Sequence, residues 1–257
     1  MTGKVYLIGA GPGDPELLTL KALKIIREAD VILFDELIGE ELRELLKREC
    51  KAELIDVGKR CGKHKMKQEE INALMVKLAK EGKIVVRLKG GDPFIFGRGG
   101  EEIEVLAENG IKFEIIPGIT SAIAVPAYAG IPITHRRCDP AVVFITGRQE
   151  RERLNWKALA ELNATIVILM GVSNLENIVK KLLENGKNPK TPVAIIERGC
   201  TPQQRVVISD LENVVDVAKK EGVKAPAVIV VGDVVRLREK LAKFLRNLGN
   251  FDHAEGN

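Results

Sequence analysis

The stretch Val85 to Glu102, VVRLKGGDPFIFGRGGEE, constrains the fold more than any other part of the chain. Val85, Val86 and Leu88 supply the β-branched and apolar run of a buried parallel strand, and that run stops at Gly90 and Gly91. A loop must begin there. Paired glycines remove the Cβ barrier to positive φ and uncover peptide N–H and C=O groups, so a ligand can approach the main chain closely. Asp92 is placed to close an Asx turn and Pro93 presets its own φ. Gly97, Gly99 and Gly100 are expected to allow a second bend before a helix opens at Glu101. A single glycine pair reads equally well as a tight connection. Five glycines and an Asp-Pro within eleven residues after a strand favour a ligand-binding turn.

Two further strand–turn–helix junctions share this plan. Lys4 to Ile8 reads as a strand that runs into Gly9-Ala10-Gly11-Pro12-Gly13-Asp14, with a helix expected from Pro15. The placement is that of a dinucleotide fingerprint, but the sixth position is Asp14 rather than glycine and Pro12 removes an amide donor. An acidic residue in the crook of such a loop repels a pyrophosphate, so NAD and FAD are disfavoured and a different ligand is expected. Phe113 to Ile116 forms another strand and leads into Pro117-Gly118-Ile119-Thr120-Ser121-Ala122, where Thr120 and Ser121 either cap a helix or face a ligand.

Between these junctions, the strand Val31 to Phe34 ends at Asp35, at the carboxyl edge where open α/β sheets place their ligands. Asp35 is a candidate acid or base, or equally the cap of a helix beginning near Glu40. A third strand, Glu53 to Val57, precedes the basic run Gly58-Lys59-Arg60-Cys61-Gly62-Lys63-His64-Lys65. This is either a solvated loop or a holder of an anionic substrate with Lys59 as proton donor. Ile71, Leu74, Met75 and Leu78 give Gln68 to Lys80 the spacing of an ordinary packed helix.

The second half repeats the α/β rhythm with fewer glycine loops. Strands are predicted at Val142–Thr146, Thr165–Met170, Val193–Glu197, Val206–Ser209 and Ala227–Val231, with helices near 174–184, 211–220 and 234–247. The short gap between 197 and 206 suggests a hairpin, hence a mixed sheet. Gly and Pro punctuation in Ala127–Arg136 marks a passage between domains, placed at residues 1–117 and 118–248.

Composition narrows the function classes. Over 257 residues the formal charge is +4 with the basic residues dispersed, which argues against nucleic acid. No apolar run reaches membrane-spanning length, and MTGKVYLIG enters a strand directly rather than a secretion signal, so a cytoplasmic protein is expected. Cys50, Cys61, Cys138 and Cys200 form no CxxC pair, so neither a metal site nor disulfides are expected.

GAGPGDPELLTLKA at 9–22, VRLKGGDPFIFGRGGEE at 86–102, PGITSA at 117–122, AGIPITHR at 129–136 and TPQQR at 201–205 resemble the uroporphyrinogen-III C-methyltransferases of the tetrapyrrole methylase family, over almost the whole chain. The glycine loops alone are shared by the wider fold, which includes later precorrin methyltransferases, diphthine synthase and a ribosomal-RNA ribose methyltransferase; GGDPFIFGRGGEE with THR and TPQQ is more specific.

The resemblance implies two α/β domains of the tetrapyrrole-methylase type with the active site in the cleft between them, in a homodimer that takes a small-molecule tetrapyrrole. It implies S-adenosylmethionine as cofactor, leaving as S-adenosylhomocysteine. Pro12, Gly90, Gly91, Asp92, Thr120, Ser121, Met170, Gly199 and Ala227 match the family's cofactor positions. Thr120-Ser121 stands where relatives often carry Thr-Ala, a small change. Asp35 and Lys59 match the proposed proton acceptor and donor. The implied reaction methylates uroporphyrinogen III twice, at C2 and C7, giving precorrin-2 by way of precorrin-1 for sirohaem, cobalamin or coenzyme F430. For an octacarboxylic substrate, Arg60, Lys63, Arg98, His135 and Arg136 are the candidate carboxylate holders, alongside Lys59.

Overall fold

The computed structural model describes residues 3–35, 38–58, 66–149, 151–241 and 244. The chain divides into two compact units, Met1–Thr120 and Ser121–Asn257. The Ala127–Arg136 stretch therefore lies inside the second unit.

In the first unit, Lys4–Gly9 (β1), Val31–Phe34 (β2), Glu53–Asp56 (β3), Ile84–Lys89 (β4) and Lys112–Ile116 (β5) form a parallel sheet in the order β3-β2-β4-β1-β5. Side chains alternate between its faces. Ile8, Ile32, Phe34, Val86 and Leu88 pack under Leu20–Glu28 (α1) and Gly39–Glu49 (α2). Val5, Leu7, Val31, Leu33 and Val85 pack under Gln68–Lys80 (α3) and Gly99–Glu108 (α4). Each fully buried Leu or Ile contributes about 1.5–3 kcal/mol, so both faces hold the sheet. Because the five strands are parallel, their carboxyl ends lie at one edge of the sheet.

The helix expected from Pro15 divides. Pro15–Leu17 is a single 3-10 turn capped by the Asp14 side chain, Leu18 and Thr19 are extended, and α1 begins at Leu20 with Thr19 Oγ1 accepting from Ala22 N at 3.1 Å. Asp14, which spoiled the dinucleotide fingerprint, is the turn's N-cap.

The second unit carries Ser121–Tyr128 (α5), Ala141–Thr146 (β6), Trp156–Glu161 (α6), Ala164–Leu169 (β7), Leu175–Glu184 (α7), Pro192–Glu197 (β8), Arg205–Asp210 (β9), Val214–Lys220 (α8), Ala227–Val231 (β10) and Arg238–Leu241 (α9). Its sheet has the order β6-β7-β10-β8-β9. β6 and β7 are parallel, β10 runs antiparallel to both of its neighbours, and β8–β9 is an antiparallel pair, so the sheet is mixed as the short connection predicted. Three helical expectations change. α6 had no periodic signal and is started by Asn155, whose Oδ1 accepts from Ala158 N. α8 begins at Val214, three residues after the predicted start. The terminal helix is a 3-10 turn, Asp233–Leu237, followed by α9; its expected remainder lies outside the described residues apart from Phe244.

Candidate functional site

Three loops leave the carboxyl edge of the first sheet from adjacent strands β4, β1 and β5, and their backbones are packed against one another. Gly11 and Gly91 form a two-way bridge, Gly91 N to Gly11 O at 2.7 Å and Gly11 N to Gly91 O at 3.2 Å. A Cβ on Gly9 would sit 2.5 Å from Gly118 Cα, and one on Gly118 would sit 2.4 Å from Gly91 O. No side chain fits at either position. Asp92 completes the arrangement: Oδ1 accepts from Phe94 N at 2.9 Å, closing the expected Asx turn, and Oδ2 accepts from Gly118 N at 3.1 Å. Pro12, Gly90, Gly91 and Asp92 are thereby brought together, with Thr120, which is buried, two residues beyond Gly118.

The second bend in this stretch forms differently from the expectation. Phe96 and Arg98 adopt φ of 53° and 58°, while Gly97, Gly99 and Gly100 do not occupy positive φ. Gly97 and Gly99 are required for space, since a Cβ at either would lie 2.7 or 2.5 Å from Pro93 O. α4 accordingly opens at Gly99 rather than Glu101. Backbone strain of this kind persists only where surrounding contacts over-determine it, and it concentrates at ligand sites.

In the second unit, the ladder registers place three more candidates on one edge. Leu169 pairs with Val228 and Glu197 with Ala227, so Met170 after β7, Gly199 after β8 and Ala227 at the start of β10 are neighbours along that edge. Met170, Arg198 and Cys200 there have φ of 55°, 44° and 60°. α5, which Ser121 opens, packs on this sheet; a Cβ on Gly199 would meet Val125 Cγ1 at 2.3 Å. Among the described residues, the non-glycine positions at positive φ all fall in these two stretches, 96–98 and 170–200.

Asp35 lies one residue past β2, with its side chain 27% exposed and Oδ2 3.5 Å from Arg87 Nη2. The N-cap position of α2 is Ile38, whose side chain makes no capping hydrogen bond.

Behind Asp35 is a group of buried charges that the hydrophobic reading of β4 missed. Arg87 and Lys89 alternate with Val86 and Leu88 and point toward α3 and α4. Glu102 of α4 is fully buried, and its Oε1 accepts from Arg87 Nε at 3.1 Å, Lys89 Nζ at 3.0 Å and Gln68 Nε2 at 3.1 Å. Its Oε2 has no hydrogen-bond partner among the described residues. Burial lowers the Lys89 pKa, reinforced by the Arg87 charge and opposed by Glu102 and Asp35. The signal in the sequence was two cations inside a run otherwise typical of a strand buried on both faces.

Three of the proposed carboxylate holders lie among the described residues. His135 and Arg136 line an open hollow of about 760 Å³ with Thr134, Arg137, Asp139 and Pro140. His135 Nδ1 accepts from Arg137 N at 3.2 Å. Arg98 makes a forked pair with Glu101, at 3.0 and 2.6 Å. Lys59, Arg60 and Lys63 lie outside the described residues.

The ligand chemistry follows from the loops. Gly9–Asp14 and Gly90–Asp92 contain two carboxylates and no Lys or Arg, and they present backbone groups at a sheet edge. Such a surface suits a ligand bearing a cationic centre better than a diphosphate.

A sequence model of the Tetrapyrrole (Corrin/Porphyrin) Methylases matches residues 4–215. The chain is 59% identical over 240 residues to a uroporphyrinogen-III C-methyltransferase of Methanocaldococcus jannaschii, covering 92% of this chain and 98% of the relative. It is 55% identical over 245 residues to an S-adenosyl-L-methionine-dependent uroporphyrinogen III methyltransferase of Methanosarcina barkeri, covering 94% and 95%. Among solved structures, the uroporphyrin-III C-methyl transferase of Thermus thermophilus complexed with S-adenyl homocysteine superposes with a TM-score of 0.79 at 41% identity, over 91% of this chain and all of that one.

Proposed function

The chain belongs to the tetrapyrrole methylase family, and from that premise we propose that it methylates uroporphyrinogen III at C2 and C7, forming precorrin-2 by way of precorrin-1. The observation that carries this reading is the 59% identity across nearly the full length of both chains to a relative named for the reaction. S-adenosylmethionine supplies each methyl group from its sulfonium, and an electron-rich pyrrole carbon accepts it without a protein nucleophile. The residues act mainly by positioning.

Pro12, Gly90, Gly91, Asp92, Thr120, Ser121, Met170, Gly199 and Ala227 are assigned to the cofactor. The support is their grouping: the first five at the locked backbone of β1, β4 and β5, and Met170, Gly199 and Ala227 on one edge of the second sheet, with Ser121 opening the α5 helix that packs on it. The glycines hold peptide groups in place, and the acidic loops complement a positive sulfonium.

Each methylation leaves a proton to be removed. Asp35 is assigned as its acceptor, since it is part-exposed at the carboxyl edge of the sheet and held from behind by Arg87; general-base catalysis is worth roughly 10²- to 10⁴-fold. Lys59 is assigned as donor from its match to the family pattern. His135 and Arg136 are assigned to substrate carboxylates, supported by the open hollow they line, with Arg60, Lys63 and Arg98 as further candidates.

Anaerobic incubation with uroporphyrinogen III and S-adenosylmethionine tests the reaction. The expected product gains two methyl groups, with two molecules of S-adenosylhomocysteine released per macrocycle. Cofactor binding without a gain in macrocycle mass would overturn the substrate.

A further inference from the structure

We propose that Arg87 is a positioning residue for Asp35 and that Glu102 in turn fixes Arg87, an inference that rests on Asp35 being the proton acceptor. The guanidinium is planar, permanently charged and able to donate in a fixed fork. Here Nε is bound to Glu102 Oε1 at 3.1 Å, and Nη1 donates to Leu88 O at 3.2 Å and Leu33 O at 3.4 Å. With these three contacts made, the plane cannot rotate. Nη2 is left to pair with Asp35, 3.5 Å from its Oδ2.

Exposure rises along this chain of charges: 0% for the Glu102 side chain, 4% for Arg87 and 27% for Asp35. The fixed end is in the core and the part-exposed carboxylate is at the sheet edge. Two elements anchor the fixed end. Lys89 from β4 and Gln68 from α3 both donate to the same Glu102 oxygen, and Gln68 also donates to Asn72 Oδ1 at 2.9 Å. An ion pair kept only for stability has no need of this construction, because well-packed apolar residues of similar volume are often as stable as a buried ion pair. What the charges add is direction, imposed on the carboxylate assigned to take the proton, where a small misplacement lowers the rate.

The test is a double-mutant cycle with Arg87→Lys and Asp35→Asn, following methyl transfer and binding S-adenosylmethionine by calorimetry. R87K keeps the charge but loses the fork. It is expected to lower kcat about tenfold, with cofactor affinity and the KM for uroporphyrinogen III within about twofold, the pattern of a lost transition-state interaction. On the D35N background, R87K is expected to cause no further loss, because residues acting through one another are not additive. An equal loss from R87K in both backgrounds, or a change confined to KM or cofactor affinity, would overturn the inference while leaving Asp35 in place. Full turnover by D35N would remove the proton-acceptor assignment and this inference together. If R87K melts below the assay temperature, Glu102→Gln, which loosens the grip on Nε and leaves Arg87 intact, carries the same cycle with the same two readings.

Discussion

Among the described residues each unit buries one glutamate, and the two are partnered differently. Glu197, on β8, has both oxygens engaged by its surroundings: Oε2 by Arg205, its direct cross-strand neighbour on β9, and Oε1 by Lys224 N at 2.6 Å. Arg205 is itself 42% exposed and donates to Glu221 O at 2.9 Å. That arrangement is a local staple, tying the β8–β9 pair to the 221–224 turn. Glu102 gathers three donors from β4 and α3 onto a single oxygen, and the cations it binds are themselves buried. The comparison shows that burial of a charge does not by itself mark a functional site. What separates the two is where the contacts lead: Glu197 toward solvent, Glu102 through Arg87 to Asp35.

The difference can be broken at either end. Glu102→Ala leaves Arg87 and Lys89 buried without their shared counter-ion, and denaturant unfolding is expected to show a loss on the order of 3–5 kcal/mol. Glu197→Ala exposes Arg205 to water that already reaches it, so the same measurement should give about 1–2 kcal/mol, mostly from the orphaned Lys224 amide. Equal losses would erase the distinction. Gly118→Ala probes the locked loops without touching either glutamate. The new Cβ would lie 2.4 Å from Gly91 O, a backbone atom. The cost is expected near 1–3 kcal/mol, together with weakened S-adenosylmethionine binding in calorimetry.

The smallest effect belongs to a part-exposed carboxylate. Lys21 and Lys4, at 2.5 and 2.6 Å, pull the Glu114 pKa down to about 2 from an ordinary 4.5. A depressed carboxylate stabilises the fold above its unfolded value, and that contribution is lost as pH falls through the folded one. Glu114→Gln should therefore lower Tm slightly at pH 6, by a margin that shrinks with added salt and closes as pH approaches 2.

Much of the plan was legible from residues alone, because its signals are local. Strands β1, β2 and β10 and helix α3 lie within a residue of expectation, since apolar periodicity and Gly or Pro punctuation are properties of short windows. The edge loops were visible for the same reason: Gly90, Gly91, Asp92 and Gly118 interrupt otherwise uniform strands. The Asx turn at Asp92 needed only the residues on either side of it.

Other features depended on neighbours distant in sequence. Nothing in the local pattern of Phe96, Arg98 or Met170 prescribes positive φ; that conformation is imposed by loops packed too closely to relax. The edge shared by Met170, Gly199 and Ala227 exists because β10 enters antiparallel between β7 and β8, a pairing decided by register between segments distant in sequence. Arg87 and Glu102 are fifteen residues apart on different elements, and only the tertiary packing makes them a buried pair. Backbone propensity and apolar spacing thus determined which segments are strands, turns and helices. The tertiary structure decided which charges lose their water and which carboxylate they face, because desolvation and side-chain contact depend on the whole surrounding fold.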